Sequence, residues 1–192
     1  IDTRGPDNTP IVYGLFSGYQ GNDIDPIVSS LDFTNQTSLD NMFGSSSYGL
    51  ITLTRLLNTQ NVTSTYAMFS WCSNLLSIPE FDVSNVTRMD NMFYGCSSLK
   101  RIKLNNTKVQ SMDYLCCDCS SLQLADLSCL VTGDAYPYSI FNYCYSLSTL
   151  VIRNMTTLPS IRIINEAFGW NHFTGTRDEE YNPEGLRDGR MY

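Results

Sequence analysis

Seven cysteines are the most conspicuous chemical groups in the chain. In a small surface protein such a set reads as a disulfide framework. The stretch "CCDC" (Cys116, Cys117, Cys119), followed by Cys129, also has a C-x-x-C core that could offer three or four thiolates to zinc. Spacing argues against both. Cys72, Cys96, Cys119 and Cys144 recur at intervals of 24, 23 and 25 residues, so each thiol should lie parallel to the next on stacked units. A disulfide instead needs sulfurs about 2.05 Å apart with a torsion of about 90°. A structural zinc site needs a second tight couple of ligands, which is missing. The thiols are expected to be reduced and packed as small hydrophobes, with no metal and no cofactor. Cys117 lies off the column and is the thiol expected to be exposed and reactive.

The remaining chemistry is thin. His172 is the single histidine, so any Ser-His-Asp or Cys-His arrangement must run through it, and nothing in "GWNHF" marks a nucleophile beside it. "DIDP" (Asp23 to Pro26) lacks the following Gly and distant Glu of an EF-hand loop, and "DEE" (Asp178 to Glu180) reads as a solvated charge run. N-x-Ser/Thr sequons occur at Asn35, Asn61, Asn85, Asn105 and Asn154, and the three that hold one repeat position, Asn35, Asn61 and Asn85, read as turns in which Asn and Thr bond their own backbone. An enzyme is not expected.

The elements that carry these residues are repeats. "NVTRMDNMFYGCSSL" (Asn85 to Leu99) recurs as "NVTSTYAMFSWCSNL" from Asn61, "KVQSMDYLCCDCSSL" from Lys108 and a looser "GDAYPYSIFNYCYSL" from Gly133. The aromatic column runs Phe16, Phe43, Phe69, Phe93, Cys116, Phe141, Phe168, in steps of 27, 26, 24, 23, 25 and 27 residues. Such a period indicates stacked structural repeats. Apolar residues one and four before the aromatic make one face of a helical turn. After "CSSL" the period changes, and "LKRIKL" and "LSTLVI" read as short strands. Cys116 puts a smaller side chain in its rung, and Gly and Pro in "VTGDAYPY" (Val131 to Tyr138) make that unit irregular.

The stretch "FDVSNVTRMDNMFYGCSSLKRIKL" resembles one copy of the BspA-like leucine-rich repeat of microbial surface proteins. The resemblance implies an α/β fold: a leucine-rich-repeat solenoid of about six to seven coils, each a short helix or helical turn plus a short parallel strand. The expected organisation is an N-terminal lead-in over 1–10, the repeats over 11–173 and a polar C-terminal connector over 174–192, the connector resembling that of phage and gut-bacterial surface proteins. The chain starts with Ile1 and reads as a segment of something longer.

Composition narrows the partners. A net charge of −7 with 12 basic residues, scattered along the chain, argues against a phosphate-binding surface, and no apolar run approaches the ~18 residues of a membrane helix. If Leu99, Ile102 and Leu104 point inward, Arg101 and Lys103 point outward, with equivalents at Ser77 and Pro79, Leu124 and Asp126, and Thr149 and Val151. At roughly 4.8 Å per strand, six steps give a face about 30 Å long. Trp71 and Tyr94, beside the Cys corners, are candidates for the opposite edge. The resemblance implies the expected function: non-enzymatic extracellular recognition or adhesion, binding a protein or glycan on a cell surface, as part of a microbial surface protein or a phage tail or fibre. The alternative is a structural building block or spacer that contacts its own assembly.

Overall fold

A computed structural model describes residues 12–21, 24–46, 50, 52–104, 108–127 and 138–152. Phe168, His172, Cys129, Asn105, Asn154, the 1–10 lead-in, the 174–192 connector and most of "VTGDAYPY" lie outside them.

Among the described residues one short helix forms, α1 (Asp25–Val28), with Pro26 in its first turn. Three strands follow, β1 (Arg101–Leu104), β2 (Leu124–Leu127) and β3 (Thr149–Ile152), in one parallel sheet ordered β1-β2-β3. This corrects the expected solenoid of six to seven coils of helix plus strand. The helix lies outside the repeated "MF" segment, and regular strands belong only to the last described units. Earlier units meet through isolated bridges, such as Asp32 with Leu57 and Arg55 with Glu80. Pro79 lies beside Glu80 and has no N–H to extend that ladder.

The "MF" segments are successive turns. In the unit around Phe93, Met92, Tyr94 and Cys96 donate N–H bonds to the carbonyls of Met89, Asn91 and Phe93, three residues back. The intervening N–H groups of Met89, Asn91, Phe93 and Gly95 donate to Ser111, Asp113, Leu115 and Cys117 of the next unit. Such alternation requires left-handed backbone two residues before and two residues after the aromatic column. These columns are Gly14, Asn41, Ala67, Asn91, Tyr114, Ser139 and Gly18, Ser45, Trp71, Gly95, Asp118, Tyr143, all with positive φ. A residue with φ near +60° cannot continue a right-handed helix; at the third position of a four-residue turn it is what a type II turn requires.

The core is built from columns. Phe43, Phe69, Phe93 and Phe141 are fully buried, and Phe16 packs partly buried against them. The rings of Phe16, Phe43, Phe69 and Phe93 stack with centroids 5.5, 5.2 and 5.7 Å apart. Cys116 interrupts this ring stack before Phe141, as expected from its size.

Polar columns tie the units together. Asp40 Oδ1 accepts from Ser64 Oγ and the Tyr66 N–H. Asp90 Oδ1 accepts from Ser111 Oγ and the Asp113 N–H, while its Oδ2 takes the Arg88 guanidinium at 2.9 Å. Asn61 and Asn85 donate their amides to the carbonyls of Thr34 and Gln60, both at 2.7 Å. The sequon asparagines Asn61 and Asn85 thus tie each unit to the one before it, which corrects the expectation that they bond their own backbone. Asp90→Ala is expected to cost about 2–3 kcal/mol in urea titration, because it leaves the Asp113 N–H without its acceptor. Asp90→Asn keeps that oxygen and should cost less than half as much; equal losses would mean the bridge contributes nothing.

Candidate functional site

The four cysteines of the column are free and buried. Each thiol donates to the carbonyl of the aromatic-column residue one unit back: Cys72 to Phe43 and Cys96 to Phe69 at 3.1 Å, Cys119 to Phe93 at 3.0 Å, Cys144 to Cys116 at 2.9 Å. Ser46 fills the same place one unit earlier, donating Oγ to Phe16 at 2.5 Å. Its membership of this column was readable from its spacing of three residues after Phe43, but a search by cysteine passes over it.

Burial pushes the Cys72 thiol up to about 12 and lifts Cys96, Cys116 and Cys119. Hydrogen bonding with Cys119, and then burial, raise Cys144. Cys117 corrects an expectation: it is buried, at 2% exposure, and burial holds its thiol at about 11. A low-pKa, accessible thiolate is what reactivity needs, and Cys117 has neither property. Among the described residues no group of three His, Cys, Asp or Glu side chains converges on a metal position. Chelator is expected to leave the melting temperature unchanged; a drop of several degrees would restore the metal reading of Cys116, Cys119 and Cys129.

Two surfaces gather the candidate binding residues. On the sheet, Arg101, Leu124 and Thr149 form one row in register and Lys103, Asp126 and Val151 the other. Arg101 and Lys103 are exposed and alternate with buried Ile102 and Leu104, as the sequence pattern required. Ser77 is exposed but belongs to no strand, and Pro79, its expected companion on the outer face, is buried.

The second surface lies along the turns. Trp71, Tyr94, Tyr114 and Tyr138, one from each of four units, form a continuous aromatic column. Neighbouring rings meet edge to face at centroid distances of 5.1, 6.4 and 5.4 Å. Trp71 and Tyr138 are about half exposed, and Tyr94 is partly buried, which raises its hydroxyl. Tyr143 and Tyr145, both exposed, form a further pair at 6.2 Å. The pattern pointed to Trp71 and Tyr94; Tyr114 and Tyr138 were missed because they sit at shifted places in their repeats.

Backbone fixes the first ring. Gly95 has φ of +72°, and a Cβ there would fall 2.6 Å from Trp71 Cε3. Gly95→Ala is expected to cost roughly 2 kcal/mol, combining left-handed strain with displacement of the indole. The check is a urea titration together with the Trp71 emission maximum. A loss under about 0.5 kcal/mol would mean that neither effect operates, since left-handed strain alone exceeds it.

Stacked turns with interlocking Phe, Cys, Asp and Asn columns define a tandem-repeat protein, each unit bonded to the next. Residues 12–128, more than half of the chain, match the family described as Mycoplasma protein of unknown function, DUF285, and the chain belongs to that family. A crystal structure of a leucine-rich repeat protein from Eubacterium ventriosum aligns with 80% of this chain and 46% of that one, at 14% identity and a TM-score of 0.28. The chain spans less than half the length of that protein. No curated protein matches it.

Proposed function

We propose that this chain is a non-enzymatic recognition module that works outside the cell, as part of a microbial surface protein or a phage tail or fibre, and binds a protein or glycan on a cell surface. The observation that carries this reading is the column Trp71, Tyr94, Tyr114 and Tyr138, which lines up an aromatic ring from each of four successive units at the surface. Aromatic side chains supply large contact area at small entropic cost, and ring-to-ring contact orders these before a ligand arrives. The BspA-like character of "NVTRMDNMFYGCSSL" supports the placement on a microbial or virion surface.

The test is binding of labelled full chain to intact bacterial and epithelial cells, beside Arg101→Glu/Lys103→Glu and Trp71→Gly variants. Saturable binding weakened by either variant supports recognition and locates its face. Absence of binding to any cell, with self-association in solution, would replace it with a building block that contacts its own assembly.

A further inference from the structure

We infer that the ligand of the aromatic column is a neutral saccharide chain, laid along Trp71, Tyr94, Tyr114 and Tyr138; this rests on the recognition reading and names its ligand class. Three observations converge on it.

The first is conformational. Left-handed backbone is comfortable for Gly and, less so, for Asn, and unfavourable for bulky side chains. Within the two left-handed columns, the other positions hold Gly14, Gly18, Gly95, Asn41 and Asn91 or the small side chains of Ser45, Ala67, Asp118 and Ser139. Trp71, Tyr114 and Tyr143 stand at the same places with φ of 61°, 55° and 62°. None of the three is needed to fill the core: Trp71 and Tyr143 are about half exposed and Tyr114 is only partly buried. Strain held at a surface, where packing does not demand it, points to function.

The second is charge. The turn segments carrying the column, 70–74, 91–98, 113–121 and 138–146, contain no lysine and no arginine. Their carboxylates are Asp113, whose Oδ1 takes the Tyr138 N–H at 2.7 Å, and Asp118. An anionic polymer would find no counter-charge here, whereas the sheet face carries Arg101, Lys103 and Asp126. The same turn segments carry Asn74, Ser98, Ser121 and Asn142, neutral donors and acceptors suited to hydroxyl groups.

The third is shape. The column is one ring wide and advances one ring per unit, which suits an extended polymer that meets one aromatic per step. A globular protein partner needs a broad patch, about 800 Å² on each side, for a stable interface. Sugar rings present apolar C–H faces to aromatic rings and hydroxyls to neutral polar side chains, and the turn segments of the column supply both kinds of residue.

The experiment is affinity electrophoresis of the full chain through gels containing laminarin, xylan, mannan or no polysaccharide. Wild type, Trp71→Gly, Tyr94→Ala and Arg101→Glu/Lys103→Glu are run in parallel. Gly relieves the left-handed strain at position 71, so Trp71→Gly should fold; an unchanged urea midpoint confirms it. The expected result is retardation by at least one polysaccharide, weakened roughly fivefold or more in Trp71→Gly and Tyr94→Ala and unchanged in the sheet variant. Absence of retardation by all three, or retardation indifferent to Trp71 and Tyr94, overturns the proposal. If cells still bind the chain in that event, and protease treatment of the cells abolishes it, recognition stands with a protein ligand. If cells do not bind it either, both readings fall together.

Discussion

Titration from about pH 8 to about pH 10.5 should lower the stability of this protein. An unfolded thiol ionises around 9.0, whereas Cys72 inside the stack is held at about 12 by burial, and Cys96, Cys116, Cys119 and Cys144 are also raised. The sign follows from proton linkage. Below 9.0 both states keep their thiol protons, and the full stability is present. As pH rises past that value the unfolded chain releases protons that the folded chain retains, so stability falls until the folded thiols also ionise. A thiol with the wide gap of Cys72 loses about 1.4 kcal/mol of stability per pH unit, and each further raised thiol steepens the decline. Urea midpoints measured at intervals of half a pH unit, with reductant present, would show the decline. A midpoint level to about pH 10 would mean that the thiols are not buried as described.

Phe69→Ala should cost about 4–5 kcal/mol, the upper part of the range for truncating a buried aromatic, and Phe93→Ala about 3 kcal/mol. Phe69 lies between two rings, Phe43 at 5.2 Å and Phe93 at 5.7 Å, so its removal leaves two ring faces against a void. Phe93 has Phe69 on one side and the smaller Cys116 rung on the other, so fewer contacts are lost there. Denaturant titration decides both. A loss under about 1 kcal/mol at either site would show that the ring column does not carry the core.

The columns were legible because burial depends on side-chain type and period, which a repeat writes several times over. Met92, Phe93, Cys96 and Leu99, with their counterparts around Phe69, are all fully buried as the spacing required. The outward direction of Arg101 and Lys103 was legible for the same reason, since strand alternation has no competing interpretation there. The local backbone was not. Met89, Met92 and Phe93 stand at i, i+3 and i+4, a pattern that fits one helical turn and equally fits two successive tight turns. What separates the two is the sign of φ at Ala67, Trp71 or Tyr114, and none of these residues announces left-handed backbone as Gly or Asn does. The aromatic site was half legible. Trp71 and Tyr94 stand out beside the cysteine corners, but Tyr114 and Tyr138 join them only because the column drifts across the turns from one unit to the next.

The one-way donation of N–H groups from each turn to the following one has an evolutionary consequence. Around the aromatic column each turn offers backbone donors to the next unit, in the same alternating order from Phe16 to Cys116, while Thr63, Thr87 and Gln110 donate their N–H groups back to Thr37, Thr63 and Thr87. A unit is therefore an interchangeable part with a head and a tail, and variation in its length, 23 to 27 residues, falls outside the hydrogen-bonded turn. Duplicating or deleting one whole copy leaves every donor facing an acceptor. The length of such a protein, and with it the number of rings along its edge, can change by unequal recombination without the remaining units having to adapt.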